Sequence, residues 1–188
     1  MYISGSPKPL MGIKLVNIQI YEELIPRSDK IFCSFGKVNY EDSFCLSLET
    51  KNIFDVDSII FKIIKSLPKW FKFLLNLRNS IARIFGLKTG KIENVYDNPE
   101  KLNFTQDQSI GDFLIILKKK NHLITELNDK HLDFRFSILI TEEEGITKVS
   151  LRTIVKIKNI FGKMYFFFIT PFHRLIIPNI LKRLSSEI

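Results

Sequence analysis

The chain has 188 residues, of which 45% are hydrophobic, so it is long and apolar enough to form one domain with a real core. Its two cysteines, Cys33 and Cys45, exclude a disulfide framework and a cysteine-based metal cage, and a reducing compartment is the default expectation. The net charge of +8 favours acidic partners, namely nucleic acid, anionic lipid or an anionic ligand, unless the lysines form an ordinary solvated surface.

The N-terminal residues 1–36 give a weak structural signal. Residues 1–12 lack the basic head and apolar run of a secretory signal, so we expect a cytoplasmic protein. Residues 13–20 alternate in part, and we predict that residues 1–36 form an N-terminal extension with one added strand at most. The main domain is predicted to cover residues 37–188.

The next elements are one strand and two helices. Residues 38–48 alternate as a strand, and helices are predicted over residues 55–67 and 69–85. One face of the strand carries Tyr40, Asp42, Phe44, Leu46 and Leu48. Asp42 is the charged member of this otherwise apolar face, and it is therefore a candidate site residue.

Arg78 is placed unusually on the second predicted helix. At 100° per residue it falls inside the apolar arc rather than on the polar side. A buried arginine needs an acceptor, usually a carboxylate, and Asp42 and Asp133 are the candidates. Such a pair either fixes the helix against the sheet, or leaves Arg78 to clamp a carboxylate or phosphate on a ligand.

The region after a polar loop at residues 91–109 is predicted to form a meander. Four strands are predicted there, over residues 111–118, 121–127, 131–140 and 147–158. The fourth strand alternates apolar side chains with basic and hydroxyl ones. This pattern predicts an antiparallel sheet with one solvent-exposed face.

The chain ends in a predicted helix over residues 162–184 that is apolar nearly all round, as expected of a helix covered on most sides. The stretch 160–181 is about long enough to span a bilayer. However, Lys163, Arg174 and two prolines would be costly in lipid. We therefore predict a buried terminal helix and no transmembrane segment.

A polar face on the third strand of the meander is the main candidate site. His131, Asp133, Arg135 and Ser137 alternate with apolar residues. In the simpler interpretation, the apolar face packs inward and the polar face contacts water or makes cross-strand pairs. In the alternative, the polar face lines a cavity and orients a ligand, as a few placed polar groups do in apolar pockets.

The remaining candidates are single residues. His173 lies at the flank of the terminal helix's apolar stripe, where a histidine is either a satisfied core group or a catalyst. Lys88 lies in GLKTG, whose spacing is not that of a P-loop, but its ammonium group is a candidate ligand contact. The spacing of His122, His131 and His173 predicts no metal, and no motif predicts a cofactor or nucleic acid.

Four segments carry a resemblance to a known family. They are YEDSF at 40–44, PKWFKFLLNLRNSIARIFGLKTG at 68–90, HLDFRFSILI at 131–140 and NIFGKMYFFFITPFHRLIIPNILKR at 159–183. The chain resembles a bacterial family of unknown function in the START-like (SRPBCC, helix-grip) superfamily. Members of that family occur alone or behind NAD-binding Rossmann domains.

The resemblance implies an α+β fold of the helix-grip kind. In this fold a curved antiparallel sheet wraps a long C-terminal helix, and two short helices follow the first strand. It also implies a cavity between sheet and helix, which in this superfamily holds lipids, sterols, polyketides or other apolar ligands. Some members of the superfamily are cyclases or hydrolases, and many only bind, so the fold leaves the function open.

Three functions follow as hypotheses. The first is binding of a small apolar or anionic molecule, with Arg78, His131, Asp133 and Arg135 at its polar end. The second is a cyclase- or hydrolase-like reaction that uses His131 with Asp133, or His173. The third is an interaction module that meets a dehydrogenase-like protein or a membrane through the terminal helix, and it predicts a large exposed apolar patch there.

Overall fold

In the part of the chain that the structure describes, seven antiparallel strands form one open, curved sheet, and a long C-terminal helix lies on one of its faces. The computed structural model describes residues 18–50, 54–67, 76, 79–80, 83, 105–110 and 113–188. Arg78 and Lys88 lie outside the described residues, as does most of the second predicted helix. The described part of the chain is α+β, and its architecture is compatible with the predicted helix-grip fold.

The elements follow the predicted chain order. The strands are β1 (Ile18–Glu22), β2 (Tyr40–Glu49), β3 (Ser109–Ile110), β4 (Phe113–Lys119), β5 (His122–Asn128), β6 (Leu132–Glu143) and β7 (Ile146–Ile157). The helices whose bounds fall within the described ranges are a short 3-10 turn (Lys30–Phe32), α1 (Val56–Ser66) and the C-terminal helix (Ile160–Leu184). The Asp55 side chain caps α1 by accepting the Ser58 backbone N–H at 2.8 Å.

The strand order across the sheet is β1-β2-β7-β6-β5-β4-β3. Strands β6 and β7 are twelve residues each and pair along their whole length. Their two-residue turn places Glu144 at φ 52° and Gly145 at φ 79°, the left-handed backbone that a tight hairpin requires. Strand β2 then pairs with the far edge of β7, although it is distant from β7 in the chain.

One face of the sheet packs against the C-terminal helix and α1. Phe44 and Leu46 on β2 and Leu151 on β7 meet Ile177 and Leu181 of the helix in the largest apolar cluster. The predicted apolar face of β2 is therefore confirmed. Because residues directly opposite each other in an antiparallel pair share a face, this cluster places Asp42 and its partner Thr153 on the helix side too.

The other face of the sheet is covered by residues 23–36, here named the strap. Ile25, Ile31 and Phe35 of the strap pack on Ile124 and Ile154 of the sheet. The prediction of a solvent-exposed face is wrong at the middle of this surface, because the hydroxyl and basic side chains there are buried. Those on β7 are Ser150 and Arg152.

The N-terminal extension was predicted to add one strand at most, and the structure shows a covering segment, the strap, as well. Strand β1 adds an edge strand to β2 by pairing Ile18 with Leu48 through Glu22 with Phe44. The strap then crosses the opposite face of the sheet. Residues 18–36 thus contribute an edge strand and a covering layer, while the predicted domain boundary at residue 37 stays a prediction.

The C-terminal helix is buried on one side only. Tyr165, Ile177 and Leu184 are buried, whereas Phe167 and Leu175 are exposed. The prediction of a helix covered on most sides is therefore wrong. By length and composition this helix could cross a membrane, a test that a core helix of a soluble protein also passes.

Candidate functional site

Buried polar side chains gather on both faces of the sheet. On the helix side the buried Asp42 and Thr153 meet the partly buried Tyr40 and His173, and these four side chains are named here the helix-side cluster. On the strap side, the buried polar side chains surround two arginines, Arg135 and Arg152, and are named here the strap-side cluster. The two groups are separated by the sheet itself, since alternate residues of one strand point to opposite faces.

The helix-side cluster is centred on the carboxylate of Asp42. The Tyr40 hydroxyl donates to its Oδ2 at 2.6 Å, and Nε2 of His173 lies 3.2 Å from the same oxygen. Nε2 of His173 also lies 3.1 Å from Oγ1 of Thr153. Two neighbouring strands and the C-terminal helix thus each supply a polar group to one point.

The carboxylate of Asp42 is shielded from solvent, and an aromatic ring packs beside its hydrogen-bond donor. The Asp42 side chain is 0% exposed. The ring of Tyr40 packs edge-on against Phe166 with the centroids 4.9 Å apart. Burial and the hydrogen bond to Asp42 raise the pKa of the Tyr40 hydroxyl well above its ordinary value, so this group is a hydrogen-bond donor at neutral pH.

His173 is held by the two strands that it faces. A carboxylate that accepts from one ring nitrogen fixes the tautomer and leaves the other nitrogen to act as an acceptor. Nε2 of His173 lies within hydrogen-bond distance of both Asp42 and Thr153, and the tautomer with its proton on Nε2 lets the carboxylate accept it; Nδ1 has no partner among the residues that the structure describes. The pair can therefore take a proton from, or orient, a group that reaches Nδ1.

The strap-side cluster holds the strap to the sheet. Arg152 forms ion pairs with Asp29 and with Glu23, the latter at 3.2 Å. Arg135 pairs with Glu126 and donates to the backbone carbonyls of Ile31 at 2.9 Å and Cys33 at 2.5 Å. Apart from Nε of Arg152, which is buried and has no hydrogen-bond partner among the described residues, both guanidinium groups contact protein acceptors, which is typical of a structural role.

His122 belongs to the same buried layer. Its Nε2 lies 2.9 Å from Oγ of Ser137. Burial lowers the pKa of His122 and outweighs the attraction of Asp29, so the folded protein keeps this ring neutral at a pH where the unfolded chain protonates it. The unfolded state then binds more protons as the pH falls through the ordinary histidine range, and stability is lost there.

His122→Gln should therefore flatten the acid side of the stability profile. The wild-type free energy of unfolding is expected to be fully present above about pH 6.5 and to fall below it. Urea unfolding at about pH 7 and about pH 5 measures this slope. Ser137→Ala, which removes the hydrogen bond but keeps the ring, is the control that should retain the slope. An equally steep loss in His122→Gln would contradict the assignment.

The sequence candidates separate into two places. Asp42 and His173 come together in the helix-side cluster, at 3.2 Å. Arg135 and Asp133 lie on the strap side, where Asp133 pairs with Lys158 at 2.5 Å. The simpler interpretation of the polar face of β6, cross-strand pairing, describes its contacts, because Arg135 and Ser137 bond to their neighbours on β5.

His131 directly precedes β6, and its side chain contacts the first turn of the C-terminal helix. Its Nδ1 is 3.0 Å from Oδ1 of Asn159, the residue whose side chain caps this helix. Its ring is tilted against Phe161, with the centroids 5.7 Å apart. The contacts of His131 and Asp133 are thus made to other residues, and the structure does not join them to Asp42 and His173.

Sequence reasoning missed Tyr40 and Thr153. Tyr40 shares its strand face with Asp42, so alternation alone gave a signal for it. Thr153 is the cross-strand partner of Asp42, which requires the register between β2 and β7. Among the described residues there is no group of three or more histidine, cysteine, aspartate or glutamate side chains that could hold a metal ion.

Comparison with known proteins gives one family and no individual relative. Residues 34–180 match the family described as "Protein of unknown function (DUF2867)". No curated protein and no solved structure matches the chain. The matched range begins inside the strap, includes β2 to β7 and ends near the end of the C-terminal helix, and it covers more than three quarters of the 188 residues. The chain therefore belongs to the DUF2867 family of proteins of unknown function.

Proposed function

We propose that this protein binds a small, largely apolar ligand between the sheet and the C-terminal helix, as START-like proteins do. The helix-side cluster orients the polar end of the ligand. The observation that carries this proposal is the Asp42 carboxylate, whose side chain is fully buried beside Tyr40, Thr153 and His173. Burying a carboxylate is costly, and a buried ionisable group at which two strands and a helix meet is a candidate recognition site.

The negative charge of Asp42 in the helix-side cluster determines which polar group of a ligand can bind beside it. A ligand carboxylate or phosphate would meet the charge of Asp42, and like charges repel at short distance. A hydroxyl or amide instead can donate to Nδ1 of His173 or to a free lone pair of Asp42. The described part of the site therefore favours an apolar molecule with a hydroxyl over the anionic ligand that Arg78 suggests.

Small molecules extracted from freshly purified protein and measured by mass spectrometry test the binding. Asp42→Asn keeps the size of the side chain and its acceptor for Tyr40, but removes the charge. The amount of ligand that copurifies with Asp42→Asn should be lower than in the wild type by a factor of about ten or more. The reason is that a hydrogen bond to a charged group contributes about 1.5–3 kcal/mol. Ser43→Ala is the matched control, because Ser43 is equally buried on the same strand and faces the strap.

A second measurement keeps the test decisive if the ligand is lost during purification. Medium-chain alcohols and the matching carboxylic acids are added to the wild type, Asp42→Asn and Ser43→Ala, and the melting temperature is recorded. Alcohols should raise it in the wild type and in Ser43→Ala but not in Asp42→Asn. An empty wild type that responds to neither series, or an equal response in Asp42→Asn, overturns the proposal.

The pairing of Asp42 with His173 favours a second candidate function, acid–base catalysis. A histidine oriented by a carboxylate at 3.2 Å is the usual arrangement of a general base. In that case the bound molecule is a substrate. His173→Gln, which keeps a hydrogen-bonding side chain, would then abolish turnover of the extracted molecule while still binding it. Equal turnover, or none in the wild type, would leave binding as the function.

A further inference from the structure

A continuous apolar stripe on the C-terminal helix faces outward. Its members are Ile160, Phe161, Met164, Phe167, Phe168 and Leu175, here named the stripe. Phe167 is 74% exposed, and its ring packs on that of Phe168 rather than on the sheet. Isolated exposed apolar residues are ordinary, but a contiguous patch of this kind marks an interaction surface.

The stripe has the geometry of one helix face. At 100° per residue its six members fall within about a third of the circumference. Tyr165, Ile177 and Leu181, on the buried side of the same helix, pack against the sheet and α1. The helix is therefore fixed to the domain by one face while it presents a second apolar face outward.

The charged side chains of the C-terminal helix itself are all of one sign. The helix contains four lysine or arginine residues and no carboxylate. Lys163 and Lys182 are exposed near its two ends, and the whole chain carries a net charge of +8. Arg174 is already paired with Glu22 at 2.7 Å, so the argument rests on the two lysines and on the net charge.

We propose that the stripe docks on the surface of an anionic lipid bilayer, with the helix parallel to the membrane plane. Apolar side chains that enter the acyl boundary, flanked by cations that contact the headgroups, are the pattern of an interfacial amphipathic helix. The helix lies on the membrane rather than crossing it, because its other face is packed on the domain. A second copy of the chain is a poorer occupant, since two stripes face to face would bring their lysines together.

Vesicle co-sedimentation of the full chain tests this surface. Vesicles of phosphatidylcholine alone are compared with vesicles that also contain phosphatidylglycerol. The wild type should bind the anionic vesicles, should bind the neutral ones much more weakly, and should be released as salt is raised. The Phe167→Gln/Phe168→Gln variant should bind at least about tenfold more weakly, because two rings no longer enter the membrane.

Leu24→Gln is the matched control for the double variant. Leu24 is apolar and 89% exposed, but it lies on the strap and outside the stripe. It should bind like the wild type, and circular dichroism should show all three proteins folded. Equal binding by the double variant, or equal binding to neutral vesicles, overturns the proposal. So does a solution dimer that the double variant abolishes while no vesicle is bound.

Discussion

Replacing Arg152 by methionine should lower the free energy of unfolding by about 3 kcal/mol. The Arg152 side chain is only 8% exposed and pairs with both Glu23 and Asp29. Methionine keeps the packing of the aliphatic stem, but it leaves two partly buried carboxylates without their cation. Breaking a buried pair from one side is costly for this reason. Urea unfolding measures the loss.

Arg27→Met provides the comparison for this change. Arg27 forms a two-contact ion pair with Glu41, but its side chain is 72% exposed. Water screens such a pair, and its loss should cost less than about 1 kcal/mol. In Arg152→Met the strap should also become easier to cleave by trypsin at Arg27 and Lys30. If Arg152→Met loses no more stability than Arg27→Met, the strap is held mainly by its apolar contacts.

Gly162→Ala should destabilise the protein by about 2–3 kcal/mol, although alanine is the better helix former by about 1 kcal/mol. A Cβ at position 162 would lie 2.2 Å from the carbonyl oxygen of His131. That oxygen accepts the backbone N–H of Lys158 at 2.9 Å, so it cannot retreat freely. The first turn of the C-terminal helix would have to move away from the start of β6.

Thermal and urea unfolding of Gly162→Ala give the size of this effect. Lys163→Ala is the neighbouring control, because Lys163 is exposed and alanine costs nothing there beyond its own propensity. The Asn159 cap and the His131 contact should weaken together in Gly162→Ala. A neutral or stabilising result would mean that the helix does not approach β6 this closely in solution.

Local sequence patterns were enough to predict most of the strands and helices. The meander from β4 to β7 follows from alternation and short turns, and α1 follows from its apolar spacing and the Asp55 cap. These features depend on neighbours in the chain, so one sequence contains them. Even the odd position of Asp42 on an apolar strand face was visible, and the structure buries that side chain completely.

The strap could not be predicted in the same way. Its regular structure is a three-residue 3-10 turn, which leaves no periodic signal. From the sequence, Arg152 and the polar face of β6 were predicted to be exposed to solvent or to make cross-strand pairs. In the structure, Arg135 and Arg152 contact carboxylates and backbone carbonyls of the strap. Contacts of this kind join residues far apart in the chain, so a local sequence pattern does not predict them.

The sequence identified Asp42 and His173 as separate candidates, but it did not predict that they lie together. Asp42 and His173 were both singled out, yet they lie 131 residues apart in the chain. Their meeting depends on the β2–β7 register and on where the terminal helix crosses the sheet. Arg135 and Asp133 were grouped with them because of their types, and the pleat of β6 sends those side chains to the opposite face.

The position of β2 between β1 and β7 affects how the protein can fold while it is being synthesised. Each strand from β4 to β7 can pair with the strand made just before it, but β2 must wait for β7, about 100 residues later. At ribosomal rates of about 5–20 residues per second, that interval is about 5–20 s. During it, β2 has only β1 as a pairing partner, and its apolar face has no C-terminal helix to pack against. A chaperone or the emerging α1 must shield that strand, and slow synthesis of the middle of the chain should increase aggregation.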